Sequence, residues 1–123
     1  MDKTEEYGSI RVRSVSEINN KDYILRHFAV NRRATSSSES TAAAAERQIY
    51  HFHFLGWPDH GTPEDPGSVL SFLHDVNLKQ EQLEDPGPIV VHCSAGIGRT
   101  GTFIVIDMII GGSVILILGK KFF

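Results

Sequence analysis

The residues best suited to chemistry lie in one short loop, which begins at Cys93 and ends at Arg99. The loop follows an apolar run, residues 89–91, and precedes a second apolar stretch. Gly96 and Gly98 would let the backbone turn its N–H groups inward, and a helix beginning at Arg99 would point its positive end at the same place. The pattern predicts a cradle for an oxyanion such as phosphate, because Arg99 adds a two-pronged guanidinium donor.

The same positive field favours the thiolate form of Cys93. A cysteine has an ordinary pKa of about 8.5, and a helix N-terminus or a neighbouring cation lowers it to about 3.5–7.5. A thiolate beside a bound phosphate ester is a nucleophile for phosphoryl transfer. A lone cysteine at a strand end is more often a small buried apolar residue. Because the five-residue loop, the arginine and the helix start coincide here, we interpret Cys93 as catalytic.

A second motif, Trp57-Pro58-Asp59-His60-Gly61, supplies a candidate acid. An aryl phosphate ester needs a proton for its departing oxygen, because a phenol has a pKa of about 10. Asp59 is our candidate for this donor, and Gly56 and Gly61 are placed to act as hinges of its loop. The alternative is a hydrophobic plug in which Asp59 only forms a turn. The cysteine loop downstream favours the catalytic interpretation.

The elements that position these loops are indicated by apolar periodicity. Period-two alternation predicts strands at 9–15, 22–30 and 49–55, the first two forming an antiparallel hairpin with a turn over 16–21. Asp65 and Pro66 are typical of a helix start. Residues 89–91 predict a central strand covered on both faces. The expected buried stripe of the helix consists of Val69, Leu70, Phe72, Leu73 and Val76.

Composition limits the classes of function. The chain has 123 residues, 12 basic and 15 acidic side chains, a net charge of −3 and an apolar fraction of 41%, which fits a soluble globular domain without the basic face of a nucleic-acid binder. One cysteine excludes an internal disulfide and multi-cysteine metal sites. His51 and His53 share a strand face without a third ligand nearby, so we expect no metal.

Two segments depart from this pattern. Residues 34–45 contain only small and polar side chains, which predicts a flexible linker. Residues 103–118 are apolar but include Asp107 and two glycines, and they are shorter than the roughly 20 residues that cross a bilayer. We therefore expect no membrane span. The charged start lacks the apolar core of a secretory signal, so a reducing, cytoplasmic setting is expected.

The two motifs together, residues 57–61 and 91–101, resemble the cysteine-based protein tyrosine phosphatases. The surrounding sequence is most similar to the cytoplasmic, non-receptor branch that carries SH2 domains. The resemblance covers about residues 6–110 and diverges over 33–47. It implies an α/β fold with a twisted mixed sheet and a strand–phosphate-binding loop–helix core. Residues 1–110 would then be a partial catalytic domain, and residues 111–123 a divergent apolar tail.

The resemblance also implies a two-step mechanism without metal or organic cofactor, acting on phosphotyrosine-containing proteins. Cys93 would attack phosphorus while Asp59 protonates the tyrosine oxygen, and Asp59 would then act as base toward water. Thr100 matches the hydroxyl that supports the departing thiolate, and His92 a position that orients the loop and tunes Cys93. The phosphoryl oxygens would be held by residues of the loop itself: Cys93, Ser94, Ala95, Gly96, Ile97, Gly98 and Arg99.

Some parts of the family pattern have no counterpart in this sequence. They are the loop whose aromatic side chain stacks on phosphotyrosine and the glutamine-bearing loop that positions the hydrolytic water. We therefore expect slow hydrolysis of a phosphorylated Cys93. Two alternatives stay open: a non-catalytic or misfolded fragment that at most binds phosphorylated partners, and a dual-specificity phosphatase. The tryptophan of the acid motif favours the tyrosine-specific branch.

Overall fold

The computed structural model describes residues 3–33, 45–58, 61–94, 98–111 and 115–117, the last segment by its backbone alone. The chain divides into two compact units, Met1–Leu55 and Gly56–Phe123. The first unit holds four strands: β1 (Thr4–Tyr7), β2 (Ile10–Asn19), β3 (Tyr23–Arg32) and β4 (Arg47–Phe54). The second holds α1 (Pro66–Gln82), β5 (Ile89–Val91), α2 (Arg99–Ile109) and β6 (Ile115–Ile117).

The first unit is an antiparallel sheet in the order β1-β2-β3-β4. The predicted hairpin is confirmed as β2 and β3, but the predicted turn over 16–21 was wrong in its first part, because β2 continues to Asn19. A register shift between Ser14 and Ser16 marks a β-bulge. The extra residue breaks the period-two alternation and so hides the second half of the strand from sequence analysis.

The edge strand β1 was not predicted. Its four residues, Thr-Glu-Glu-Tyr, show no apolar alternation, because an edge strand with a solvated face needs little burial. Gly8 lies in the turn between β1 and β2 with φ of +62°, the left-handed region that glycine adopts without a steric cost. Glu6 accepts hydrogen bonds from Arg11 at 3.2 Å and from Arg33 at 3.0 Å. These exposed ion pairs contribute little to stability.

Helix α1 begins as predicted. The Asp65 side chain accepts a hydrogen bond from the Gly67 amide at 2.9 Å, and Pro66 occupies the first turn. Val69, Phe72 and Leu73 are buried, whereas Leu70 is 50% exposed, so its predicted burial was wrong. Leu70 lies about 100° around the helix from Val69 and falls outside the narrow stripe that faces the rest of the unit.

The cysteine loop lies within a strand–loop–helix–strand unit. Strand β5 has the predicted bounds and pairs in parallel with β6, which lies in the apolar tail. Helix α2 connects the two, and Phe103 packs against Phe72 of α1 with ring centroids 5.8 Å apart. The predicted burial of β5 on both faces was wrong for the described residues, because Val90 is 48% exposed. Side chains of a strand alternate between faces, and the described elements cover one face only.

The predicted α/β class is confirmed, with its antiparallel and parallel pairings divided between two sheets. Neither helix in the described part of the chain is long and apolar enough to cross a membrane. The predicted linker 34–45 lies outside the described residues except for residue 45, and so does most of the predicted tail, residues 112–114 and 118–123.

Leu73 and Leu70 form a matched pair for testing the core. Leu73 is fully buried, and we expect Leu73→Ala to lower the free energy of unfolding by about 2–5 kcal/mol through lost burial and a residual cavity. Leu70→Ala, one helical position from Val69, is expected to change it by about 0.5 kcal/mol or less. Urea unfolding followed by the helical circular dichroism signal measures both, because the described helices all lie in the second unit. Equal losses would contradict this core.

Candidate active site

Cys93 lies two residues beyond β5 and is half-buried. It is followed by the exposed Ser94, and the loop returns at Gly98 to begin α2. The short strand and the helix therefore fix both ends of the cysteine loop. Three of the predicted phosphate-binding residues, Ala95, Gly96 and Ile97, lie outside the described residues, as does the predicted acid Asp59.

Arg99 connects the two sequence motifs. Its Nη2 donates a hydrogen bond to Ser94 Oγ at 2.6 Å, which ties the guanidinium to the beginning of the cysteine loop. Its Nη1 lies 3.5 Å from the carbonyl oxygen of Trp57, at the outer limit of a hydrogen bond. The half-buried arginine thus spans from the cysteine loop to the start of the acid motif. Its planar fork is suited to this double contact and to phosphate oxygens.

The described ends of the acid motif, Trp57 and Gly61, lie close together. The indole Nε1 of Trp57 donates a hydrogen bond to the carbonyl oxygen of Gly61 at 3.3 Å. Gly61 has φ of +98°, a conformation that disfavours residues with a Cβ. The indole bond holds the described ends of the motif together, and the carbonyl oxygen of Trp57 contacts Arg99.

The N-terminus of α2 is built to receive a negative charge. Gly98 is its N-cap and supplies no side-chain capping bond, so the first-turn amides keep hydrogen-bonding capacity for an anion. Gly98 has φ of −96° and ψ of −76°, a conformation that is also accessible to other residues. Thr102 Oγ1 donates instead to the Gly98 carbonyl at 3.1 Å and fastens the first turn.

Thr100 and His92 occupy different environments beside the loop. Thr100 is 2% exposed, and its Oγ1 has no hydrogen-bond partner among the described residues. A buried hydroxyl without a partner is costly unless it serves a group that binds there. His92 is exposed. The assignments of Thr100 to thiolate support and of His92 to loop orientation stay predictions.

Comparison with known proteins shows which family the chain belongs to. The model of the protein-tyrosine phosphatase family matches residues 1–112. The chain belongs to this family. It is 54% identical over 112 residues to tyrosine-protein phosphatase corkscrew of Drosophila melanogaster, covering 88% of this chain and 12% of that protein. The mouse receptor-type tyrosine-protein phosphatase F is 47% identical over 104 residues, covering 85% of this chain and 5% of that protein.

The match to corkscrew confirms the predicted resemblance to the SH2-domain-containing, non-receptor branch of the phosphatase family. Corkscrew of Drosophila virilis is likewise 54% identical, over 110 residues that make up 86% of this chain and 13% of that protein. The chain therefore spans about an eighth of the length of these corkscrew relatives. Its similarity extends through both motifs and through α2.

Within the described residues, no three histidine, cysteine or acidic side chains converge as metal ligands. The histidine pair of β4 is engaged otherwise, since the Arg26 guanidinium lies 3.2 Å from His53 Nδ1. The ring of His51 stacks on that of His53 with centroids 5.9 Å apart. Among the described residues, Arg99 and the N-terminus of α2 supply positive charge near the cysteine loop.

The two contacts of Arg99 were not predicted. The bond to Ser94 has only a weak signal in the sequence, which is the short separation between a hydroxyl and an arginine. The contact with Trp57 has none, because its acceptor is a backbone carbonyl that any residue would supply. A third missed pair, Asn77 and Asp107, joins α1 to α2 through a hydrogen bond of 2.7 Å.

Proposed function

We propose that this chain carries the nucleophile, the phosphate cradle and the general acid of a protein tyrosine phosphatase that hydrolyses phosphotyrosine through a cysteinyl-phosphate. The observation that carries the proposal is the position of Arg99, whose guanidinium contacts Ser94 of the cysteine loop and Trp57 of the acid motif. The nucleophile loop and the acid loop are thereby gathered around one cation that is suited to phosphate.

The first step transfers the phosphoryl group to sulfur. The Cys93 thiolate attacks phosphorus, the new P–S bond forms, and the bond to the tyrosine oxygen breaks. Asp59 gives its proton to that oxygen, so phenol rather than phenoxide departs. Arg99 and the loop amides stabilise the charge on the equatorial phosphoryl oxygens, and such fixed donors usually lower the barrier more than any other feature of a site of this kind.

The second step returns the enzyme to its starting state. Asp59, now a carboxylate, takes a proton from water as the water oxygen attacks phosphorus. The P–S bond breaks, inorganic phosphate forms, and the electron pair returns to Cys93 as thiolate. A hydrogen bond from the Thr100 hydroxyl to the departing sulfur eases this cleavage, and the lack of another partner for Thr100 Oγ1 among the described residues supports that assignment.

The substrates that we propose are phosphotyrosine-containing proteins in the cytoplasm. Two observations support this class: the tryptophan-bearing acid motif, and the names of the relatives, which are tyrosine-protein phosphatases. We place the catalytic segment at residues 1–110, with a linker at 34–45, and a separate apolar tail at 111–123.

A rapid-mixing experiment tests the proposal on the whole chain. A phosphotyrosine peptide is mixed with a slight excess of protein. Release of the phenol, which is the tyrosine of the dephosphorylated peptide, is compared with the phosphate retained on Cys93, measured by mass spectrometry of the acid-quenched protein. We expect one released phenol per peptide added and a phosphorylated Cys93. Peptide binding without phenol release would support the non-catalytic alternative. Equal rates with phosphothreonine and phosphotyrosine peptides would support the dual-specificity alternative.

Asp59→Asn tests the acid. With a phenyl ester as substrate, the variant is expected to release phenol about 100-fold more slowly or worse, because an amide has no proton of suitable acidity to give. The loss should shrink with a nitrophenyl ester, whose more acidic leaving group departs without help. Glu64→Gln, an exposed carboxylate in the following loop, is the matched control and should react like the parent. A loss independent of the leaving group would remove Asp59 from this role.

A further inference from the structure

The contact between α1 and α2 contains a polar pair in addition to the packed rings of Phe72 and Phe103. Asp107 is fully buried, and its Oδ1 accepts a hydrogen bond from Asn77 Nδ2 at 2.7 Å. The same Asn77 Nδ2 donates to the carbonyl oxygen of Leu73, one turn earlier on α1, at 3.0 Å. The second bond fixes the asparagine side chain, so the donor is held in place for Asp107.

Burial of this pair carries a desolvation cost that reduces its net contribution to stability. A buried carboxylate loses its hydration, and the cost is recovered only where each oxygen finds donors. The second oxygen of Asp107, Oδ2, has no hydrogen-bond partner among the described residues. An apolar residue at this position would fill similar space without that cost. The pair therefore calls for a geometric explanation.

The aromatic contact between the helices is less directional than this hydrogen bond. The rings of Phe72 and Phe103 pack together, and an apolar contact resists sliding and rotation less strongly than a hydrogen bond does. A directional hydrogen bond between two anchored side chains tolerates neither. Single buried polar residues are known to specify register between helices in this way.

The buried stripe of α2 links this pair to the cysteine loop. Its members are spaced at i, i+3, i+4 and i+7, so Asp107 and Thr100 lie on one face of the helix, two turns apart. Arg99 lies eight residues from Asp107, a distance of about 12 Å along a straight helix. An α-helix is stiff over that length, so a rotation or shift at Asp107 is carried to Arg99.

We propose that Asn77 and Asp107 are positioning residues, which set the register of α2 against α1 and thereby the place of Arg99 and the first-turn amides at the cysteine loop. This inference rests on the proposed function, since it treats the loop as the phosphate site. Neither residue touches the reacting atoms. Their effect on phosphate binding is exerted through the position of the helix.

The decisive variant is the double substitution Asn77→Leu with Asp107→Leu, made in the full chain. It removes the polar pair without leaving a buried charge, so we expect its thermal midpoint to equal or exceed that of the parent. Vanadate affinity should nevertheless fall about tenfold, because a shift of about 1 Å at a reacting centre is enough for such a loss. Asp107→Asn, whose amide oxygen still accepts from Asn77, should bind vanadate like the parent.

Two further measurements separate register from stability and from the proposed function. Leu73→Ala lowers the stability of the same unit but keeps the polar pair, and it should bind vanadate normally below its unfolding temperature. The amide resonances of Thr100 and Gly101 report the position of α2 without any ligand, and they should move in the double variant but not in Asp107→Asn. If the parent fails to bind vanadate, the proposed function fails while these resonances still decide the register. Unchanged resonances in the double-leucine variant would overturn the inference, as would undiminished vanadate affinity where the parent binds.

Discussion

The Cys93→Ser variant is expected to release phenol from a phosphotyrosine peptide at least about 10⁴-fold more slowly than the parent, the scale of loss when a covalent nucleophile is removed. A serine hydroxyl remains protonated near neutral pH and is therefore a far weaker nucleophile than a thiolate. The measurement is single-turnover phenol release together with mass spectrometry of the quenched protein. No phosphorylated residue should be detected in the variant.

The same variant should still bind the phosphotyrosine peptide. Replacing a thiolate by a neutral hydroxyl removes a negative charge that faces the phosphate, and it leaves Arg99 in place. Ser71→Ala, at an exposed position of α1, is the control, because it makes a similarly small side-chain change elsewhere in the unit. Phenol release by Cys93→Ser at the parent rate would show that another residue is the nucleophile.

Arg99→Lys is expected to lower the rate of cysteine phosphorylation by about 10²–10³-fold, comparable with the removal of one oxyanion donor. Lysine keeps the positive charge but not the planar fork. The guanidinium reaches Ser94 Oγ at 2.6 Å and the Trp57 carbonyl at 3.5 Å with two different nitrogens. One ammonium cannot reproduce both directions and also bind phosphate in a bidentate manner.

The matched control for Arg99→Lys is Arg47→Lys, an exposed arginine of β4 in the other unit. It should leave the rate of Cys93 phosphorylation unchanged. Both variants lose one arginine, so a general effect of arginine content would appear in Arg47→Lys as well. The test uses vanadate affinity and the single-turnover rate in parallel. If Arg99→Lys reacts at the parent rate, charge alone suffices, and the geometric role assigned to the guanidinium is wrong.

The elements that could be predicted were those with strong local signals. Helix α1 has a carboxylate cap followed by proline, and β5 is a short apolar run between turn residues, so both were found with correct starts. The missed features depend on partners distant in sequence. Strand β1 forms because β2 offers an edge for pairing. The bulge near Ser14 disrupts the apolar alternation that would otherwise have indicated where β2 ends. Burial of Leu70 was misjudged because the stripe is narrower than its apolar residues suggest.

The candidate site divides in the same way. Cys93 and Arg99 could be selected from the sequence as candidates because their spacing, with a helix after it, has a direct physical meaning; the nucleophilic role of Cys93 stays a prediction. The contact from Arg99 to Trp57 could not be predicted, because a backbone carbonyl carries no sequence signal. The pairing of Asn77 with Asp107 was equally hidden, since thirty residues separate them and neither type is typical of a helix interface.

Titration of the Cys93 thiol measures directly whether the cysteine loop stabilises the thiolate. The chain has a single cysteine, so the ultraviolet absorbance of the thiolate, taken as the difference between the parent and Cys93→Ser, reports one group without contributions from tyrosine. We expect a titration midpoint well below the ordinary cysteine pKa of about 8.5, within the range of activated cysteines. A midpoint at or above that value in the folded protein would contradict the account, because the loop would then not stabilise the anion on which the chemistry depends.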